Sequence, residues 1–387
     1  MNEKMDSTKR LERLLERYGN GDIDRRDFVS LLGCAALAAG VSSASLLAST
    51  RHAAAQVEQL RFDGWGGIVS EAFRKYAFDP YEEATGIKVI DGTFGSEEEH
   101  FTNVRASQEG EYNIHLSSGV VKYKQFTDAG YGVVLDESKI PNLKLVMNSL
   151  LEPFRKITPD GLSCVPFDYG TSGLAYNTNY ISASDMETEG ANILLSQDFK
   201  GKIGGYGDWQ TRIWYGALQS GQDPNNIEDI DVVWEKIREN RGLILKYFSS
   251  GAELMDLLAK EEYIVCDAWS GRIAGLQEQG HPIGYHDPNG SYAWMEDLFV
   301  MKGTPLPEAE ELLNYMLEPE VSIAVAEGQN YPSSLDPSKV EMPESVRKLP
   351  AFDPTGTLSA LTFADPDFWT AHDAEWKKMW GRIEKGA

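Results

Sequence analysis

Beyond residue 56, the hydrophobic pattern of the chain alternates between the period of a strand and the period of a helix. Short apolar runs predict strands over "QLRFDGW", "GIKVIDGTF" and "YNIHLSS". Between them, apolar residues at helical spacing predict a helix from Ser70 to Glu83 and another over "VVKYKQFTDAG". A capping box at Ser96 predicts a third helix, which continues through Val104. This strand–helix–strand order is typical of βαβ units in a parallel sheet.

A second series of the same kind begins near Tyr169. It includes the segments "GKIGGYG", "TRIWYGALQSG", "AELMDLLAKEE" and "YIVCDAWSG". No internal repeat and no low-complexity segment interrupts it. With 387 residues, the chain is long enough for two such series to form two α/β lobes.

The first 55 residues follow a different pattern. Arg25 and Arg26 precede Phe28, and no charged residue occurs from Val29 to Thr50. The following "AAAQ" (residues 53–56) has the small residues of a secretory cleavage site. Residues 1–55 are therefore predicted to be a twin-arginine signal peptide, in which a receptor reads the arginine pair.

Two other interpretations of this leader stay open. The uncharged run is long enough to cross a bilayer, but it is rich in Ala, Gly and Ser and is followed by the cleavage site. The segment "LLGC" resembles a lipoprotein box with Cys34 as the lipidated residue, although few apolar residues precede it. Export is the outcome that we expect.

Charge limits the partners of the body of the chain. The formal net charge is -24, and the whole excess of acids lies beyond residue 55. Such a field repels phosphate backbones and anionic lipids, and thus argues against nucleic-acid and membrane-surface binding. It favours encounter with cations, although solubility alone also accounts for it. Cys164 and Cys266 lie in apolar strand-like runs, which are typical of buried free thiols.

No catalytic constellation is found in the sequence. The six histidines lack metal-ligand spacing, and "GTSG" at Gly170 does not have the spacing of a nucleophile elbow. The "GWGG" segment at Gly64 is weak as a phosphate loop but suits a ligand loop that includes Gly66. We therefore expect no enzyme, no cofactor and no metal, with a secreted hydrolase as the alternative from another class.

Six segments carry a resemblance to a known family. They are "EEATGIKVIDGTFGSEEEHFTNVRA", "VPFDYGTSGLAYN", "FKGKIGGYGDW", "VCDAWSG", "YAWMEDLFVMKG" and "EGQNYPSS". In this order they resemble segments of periplasmic polyamine-binding proteins of ABC importers, the spermidine/putrescine type. The resemblance extends from Leu60 to the C-terminus.

The resemblance implies an α/β fold of the two-lobed periplasmic-binding-protein class, type II-like, with a ligand cleft between the lobes. Lobe 1 would comprise residues 56–170 and about 297–335, and lobe 2 about 171–296 and 336–387. The protein would be a monomeric periplasmic receptor that delivers a small molecule to the permease subunits of an ABC transporter.

The resemblance also implies a set of cleft residues. Trp65, Trp269, Trp294 and Tyr331 match aromatic residues of the family's cleft. An indole face attracts an ammonium group and shields the adjacent methylenes from water. Glu296 stands where the family has aspartate in a W-M-D motif, so the ammonium site would keep its charge. Ser118 would add a hydrogen bond.

Other positions depart from the family. Tyrosines expected near Ile68 and Val120 are missing. The loop "GDWQTR" has Asp208 near one acid position of the family and Arg212 at or near the second, beside the further aromatic candidate Trp209. An arginine there could bind a carboxylate through two hydrogen bonds, or it could be an outward helix residue.

The expected ligand is a small aliphatic amine: a di- or polyamine, or a relative that also carries a carboxylate. An amino acid or another zwitterion is the alternative.

Overall fold

A computed structural model describes residues 57–386. The predicted signal peptide, with Arg25, Arg26 and Cys34, lies outside the described residues. The strands are β1 (Gln59–Gly64), β2 (Lys88–Thr93), β3 (Ile114–Ser117), β4 (Cys164–Asn177), β5 (Ile203–Tyr206), β6 (Ile244–Phe248), β7 (Val265–Trp269), β8 (Ile283–His286), β9 (Tyr292–Val300) and β10 (Thr362–Phe363).

The α-helices are α1 (Gly67–Phe73), α2 (Asp79–Thr85), α3 (Glu97–Ala106), α4 (Gly119–Asp128), α5 (Asn148–Ile157), α6 (Ala183–Glu189), α7 (Trp209–Gln219), α8 (Ile230–Arg241), α9 (Gly251–Ala259), α10 (Ser270–Glu278), α11 (Leu306–Met316), α12 (Pro319–Gln329), α13 (Glu344–Arg347) and α14 (Pro366–Glu384). A π-helical turn (Arg74–Phe78) separates α1 from α2, where the pattern predicts one continuous helix. Four short 3-10 helices complete the helical set: Glu137–Lys139, Pro141–Leu145, Gly190–Leu195 and Gln197–Phe199. None of the helices in residues 57–386 is both long and apolar enough for a membrane span.

The strands form a mixed sheet in the order β2-β1-β3-β9-β4-β7-β5-β6, with β10 beside β9 and β8 beside β4. The predicted parallel pairs are present where βαβ units follow one another, in β1 with β3 and in β5 with both β6 and β7. The prediction of a wholly parallel sheet is wrong, because β9 runs antiparallel to β3 and β4, and β4 runs antiparallel to β7 and β8.

The burial of strand β4 explains why the sequence pattern does not predict the antiparallel pairs. All 14 of its residues are buried, so it shows no alternation of polar and apolar positions. Its first part pairs with β9 and its last part with β7 and β8. Strands β4 and β9 therefore connect the early strands β1–β3 to the later strands β5–β7.

Aromatic packing anchors the C-terminal helix. Trp369, Trp376 and Trp380 of α14 are buried in one hydrophobic cluster with residues of α7 and α8. Trp214 of α7 stacks on Trp369 with ring centroids 5.7 Å apart, and its Nε1–H donates to the Gly290 carbonyl at 2.8 Å. These contacts fix α7, which follows the loop between β5 and Asp208.

The described residues divide into two compact units. The smaller contains residues 57–59 and 78–88, and includes α2. The larger contains residues 60–77 and everything from residue 89 onward, including Cys164 and Cys266, which are buried free thiols. All residues of the candidate site described next belong to the larger unit.

Candidate ligand-binding site

The larger unit has a cavity of about 120 Å³, which is room for several water molecules or for a small ligand. Its aromatic lining is Trp65, Phe94, Tyr206, Trp269, Tyr292, Trp294 and Tyr331. Its charged lining is Glu97, Glu98, Lys122, Asp208, Arg272 and Glu296. Its serine and threonine side chains come from residues 96, 118, 172, 211, 249 and 250.

Aromatic neighbours hold the three tryptophans edge-to-face. The Trp65 ring lies 4.7 Å from Phe94, Trp269 lies 4.8 Å from Tyr206, and Trp294 lies 4.8 Å from Tyr331, all between centroids. This geometry is favourable for aromatic quadrupoles and fixes the ring planes. The result is a preorganised aromatic wall that can cover methylene groups and attract a cation.

Gly170 allows Trp294 to lie against strand β4. The two residues are register partners between β4 and β9. A Cβ at Gly170 would come within 2.5 Å of Trp294 Cζ2, so any larger residue would displace the indole. The glycine of "GTSG" thus serves the packing of the aromatic wall.

Glu97 is a buried carboxyl group with an unused acceptor. It begins α3 and is 6% exposed. Its Oε1 accepts a hydrogen bond from the backbone N–H of Ser118 at 2.6 Å, whereas its Oε2 is buried without a hydrogen-bond partner. Burial raises the pKa of Glu97 to about 7, despite the opposing influence of Lys122 and of the Ser118 N–H. A ligand cation could replace the proton.

Glu296 faces a second carboxyl group. It is the register partner of Asp168 across β9 and β4, and the two residues are 6% and 1% exposed. Burial raises the pKa of both groups, and for Glu296 the neighbouring Asp168 adds to the rise. Gln329 Nε2 donates to Asp168 Oδ2 at 2.5 Å, whereas Glu296 Oε2 has no hydrogen-bond partner. The raised pKa values favour the protonated form of this carboxyl pair, and a cation beside Glu296 would compete with that proton.

The acid Glu98, by contrast, is already neutralised. Its Oε1 lies 2.5 Å from Lys122 Nζ and 2.8 Å from Lys377 Nζ of α14. Burial acts to raise the pKa of Glu98, but the two ammonium groups outweigh it and lower the pKa to about 2. This group stays ionised and is satisfied within the protein.

Seven sequence-predicted residues line the cavity together: Trp65, Ser118, Asp208, Trp269, Trp294, Glu296 and Tyr331. Trp65 and Trp269 stand at strand ends, as the pattern indicates, whereas Trp294 lies within β9. Asp208 caps α7, because its Oδ2 accepts from the Thr211 N–H at 2.9 Å. The ligand contacts of these residues stay a proposal.

Three other candidates are not among the lining residues. Gly66 is the residue before α1, with a φ of 71° that favours glycine, so its role is in the backbone turn. Trp209 is 4% exposed and packs 5.8 Å from Trp369, in the hydrophobic cluster under α14. Arg212 is 2% exposed and forms a buried ion pair with Asp267 of β7.

Arg212 thus lies in a buried ion pair outside the cavity lining, where neither the predicted carboxylate contact nor the outward helix position is seen. The carboxylate paired with its guanidinium is that of Asp267, a residue of the protein itself, although Arg212 Nε and Nη2 have no hydrogen-bond partner in the described residues. Arg212 meets Asp267 because β5, which precedes its helix, pairs with β7. The local sequence does not show this pairing.

Sequence reasoning missed Glu97 and Arg272. In the sequence pattern Glu97 is only part of the capping box at Ser96, although it lies shortly after strand β2, where side chains reach a cleft. The sequence contains one indication of Arg272. It is a basic residue in the first turn of α10, three positions after Trp269. A positive charge there opposes the helix dipole and calls for a functional reason.

Comparison with known proteins decides the family. Residues 76–354 match the family model described as bacterial extracellular solute-binding protein. The chain belongs to this family. It is therefore a solute-binding protein rather than an enzyme, and its place is outside the cytoplasm.

This solute-binding protein is similar to curated relatives over most of its length. It is 24% identical to the putrescine-binding periplasmic protein PotF of Escherichia coli strain K12, over 88% of this chain and 96% of the relative. It is 22% identical to the putrescine/agmatine-binding protein of Pseudomonas aeruginosa, over 79% of this chain and 88% of the relative.

Solved structures share its fold. A putative spermidine/putrescine ABC transporter protein of Listeria monocytogenes superimposes with a TM-score of 0.70 at 19% identity, covering 85% of this chain and all of that one. The binding protein MotA of A. tumefaciens B6, solved with glucopine, gives a TM-score of 0.71 at 18% identity, covering 84% of this chain and 99% of that one. The fold is that of a periplasmic binding protein.

Proposed function

We propose that this solute-binding protein captures a small aliphatic amine for an ABC importer. The observation that carries the proposal is the pair of buried carboxyl groups in the cavity lining, Glu97 and Glu296, each with an oxygen that has no hydrogen-bond partner. A buried polar atom without a partner is costly, and an ammonium group supplies the donors and the charge that these oxygens need.

The aromatic lining is evidence that the ligand has an aliphatic carbon chain between its charged groups. The rings of Trp65, Trp269 and Trp294 offer apolar area to methylene groups and a negative face to an ammonium. The names of the relatives agree with this chemistry, because they describe binding of putrescine or of agmatine. The transporter partner is proposed on the same basis, as permease subunits in the membrane.

Capture by closure of two lobes is part of the proposal. Lobe 1 would comprise residues 56–170 and about 297–335, and lobe 2 about 171–296 and 336–387, in a monomer. The cavity lining supports it, because Trp65 and Glu97 come from the first segment while Trp269 and Arg272 come from the second. Strands β4 and β9 would carry the hinge.

The proposal is tested by melting temperature and calorimetry of the purified protein with putrescine. A ligand that binds only the native state stabilises it by about 2.7 kcal/mol at a hundred times its dissociation constant, so the melting temperature should rise by several degrees. The matched control is 1,4-butanediol, which has the same carbon chain without charge and should give no shift.

Ornithine, lysine, spermidine and agmatine extend the test to other amines. Binding by any of them and not by the diol supports an amine receptor. If none of these amines raises the melting temperature or releases heat, the amine assignment is wrong.

We also propose that the twin-arginine signal peptide of residues 1–55 exports the protein to the periplasm. Replacing Arg25 and Arg26 together by lysine keeps the charge but removes the residues that the receptor reads, so the precursor should accumulate in the cytoplasm. Cell fractionation and immunoblotting measure this. The control is Arg10→Lys with Arg13→Lys, which should export normally.

Normal amounts of mature periplasmic protein in the Arg25/Arg26 variant would contradict the twin-arginine proposal. A lipid-bearing mature N-terminus at Cys34 would favour the lipoprotein alternative.

A further inference from the structure

Arg272 brings a buried positive charge into the cavity lining. It is 6% exposed, and its Nε is buried without a hydrogen-bond partner. Among residues 57–386, no carboxylate oxygen lies within ion-pair distance of its guanidinium. An unpaired buried guanidinium lowers the stability of the fold, so we expect this one to have a function in binding.

The surroundings of Arg272 add positive potential instead of cancelling it. Arg272 lies in the first turn of α10, and its guanidinium packs so closely on Gly251, the first residue of α9, that a Cβ there would overlap it. Both helices thus turn their positive ends toward this point. The acid of that α9 turn, Glu253, is already engaged by Ser249 and Lys246.

The nearest acid of the cavity does not neutralise Arg272 either. Arg272 is close enough to Glu296 to favour its ionised form, yet burial and Asp168 together keep the pKa of Glu296 well above its usual range. Arg272 therefore does not bring Glu296 back to the ordinary pKa of a glutamate, and the structure shows no ion pair between the two side chains in residues 57–386.

Unused donors at the cavity complete the pattern. Besides Arg272 Nε, the Nε1–H groups of Trp65 and Trp294 are buried without an acceptor. A protonated diamine carries only hydrogen-bond donors. It can therefore donate to the carboxyl groups of Glu97 and Glu296, but it cannot accept from the buried N–H groups. A ligand that meets both needs has an ammonium and an anionic acceptor.

We propose that the ligand carries a carboxylate next to its amine, and that Arg272 binds this carboxylate while Glu296 binds the ammonium. Because Arg272 and Glu296 line the same cavity, a ligand with both an amine and a carboxylate suits them, as in an α-amino acid with an aliphatic side chain. Glu97, which also lines the cavity, then remains for a second amine. This inference rests on the proposed amine-binding function and narrows it.

Calorimetry with ornithine and putrescine tests the inference, because ornithine is putrescine with a carboxylate beside one amine. The wild-type protein should bind ornithine at least about tenfold more tightly, as expected for hydrogen bonds between charged groups. Arg272→Gln should weaken ornithine binding by about thirtyfold or more and leave putrescine binding unchanged or improved. Arg272→Lys should retain part of the preference, since it keeps the charge without the planar fork.

Two controls separate binding from folding. Arg347→Gln, at an exposed position outside the cavity lining, should leave both affinities as in the wild type. The ligand-free Arg272→Gln protein should melt no lower than the wild type, because it loses an unpaired buried charge. A lowered melting temperature would indicate a structural role for Arg272 and overturn the inference.

The inference and the proposed function can fail separately. If putrescine binds as tightly as ornithine, and Arg272→Gln improves or preserves both, the carboxylate is not part of the ligand and amine binding stands. If neither compound nor any other amine binds, the amine-binding function itself is wrong, and the inference falls with it.

Discussion

Replacing Arg212 by methionine should lower the free energy of unfolding by about 3–5 kcal/mol. The change leaves Asp267 as an uncompensated charge in a fully buried position, which is the costly way to break such an ion pair. Asp267 would keep only the hydrogen bond from the Tyr206 backbone N–H at 3.0 Å. Denaturant unfolding, followed by tryptophan fluorescence, measures the loss.

The double variant Arg212→Met with Asp267→Leu is the matched control. It removes both charges, and replacement of a buried pair by apolar residues is often neutral or stabilising, so it should recover most of the stability. Arg347→Gln provides a surface comparison and should change stability by no more than about 0.5 kcal/mol. A loss below about 1 kcal/mol in Arg212→Met would mean that this ion pair contributes little.

The case of Arg212 shows what the local sequence can and cannot predict. The strand β5 and the helix α7 correspond to the segments "GKIGGYG" and "TRIWYGALQSG" of the pattern, because each depends on neighbouring residues. The partner of Arg212 is not visible, because Asp267 lies 55 positions further on and reaches it only through the parallel pairing of β5 with β7. Burial of a charge follows from such tertiary contacts.

The candidate site divides in the same way. The pattern places Trp65 and Trp269 at the ends of apolar strands, and the family resemblance implies their place in the cleft. The pairing of Glu296 with Asp168 depends on the antiparallel register of β4 and β9, which a continuously buried strand does not reveal. Glu97 Oε2 and Arg272 Nε have no hydrogen-bond partner in the folded chain, and the sequence alone does not show this because it depends on tertiary packing.

Glu296→Gln should weaken the binding of putrescine or ornithine by about 2–5 kcal/mol, a factor of roughly thirty or more. Glutamine has the shape of the protonated acid, so the free cavity should keep its structure while it loses the charge partner of a desolvated ammonium. Calorimetry on the two proteins measures the loss. Glu187→Gln, an exposed change on α6, is the control with the same chemistry and should bind as the wild type.

The same variant should change the pH dependence of stability. The pKa of Glu296 is higher in the folded protein than in the unfolded chain, so the folded state binds more protons above about pH 4.5. This contribution is complete below the unfolded pKa and is lost as the pH rises through the folded value. The melting temperature of the wild type should thus fall more steeply from pH 5 to pH 8 than that of Glu296→Gln. Glu97, with its pKa of about 7, and Asp168, whose pKa burial also raises, should leave a slope in both proteins.

Ligand binding should respond to pH in the opposite direction, because an ammonium must displace the proton of Glu296. Below the pKa of this group, affinity should rise with pH by up to about tenfold per unit for each proton released. Calorimetry in buffers of different ionisation enthalpy counts those protons, and Glu296→Gln should release about one fewer than the wild type. Wild-type affinity and unchanged proton release in the variant would place the ammonium elsewhere, with Glu97 as the remaining buried acceptor in the lining.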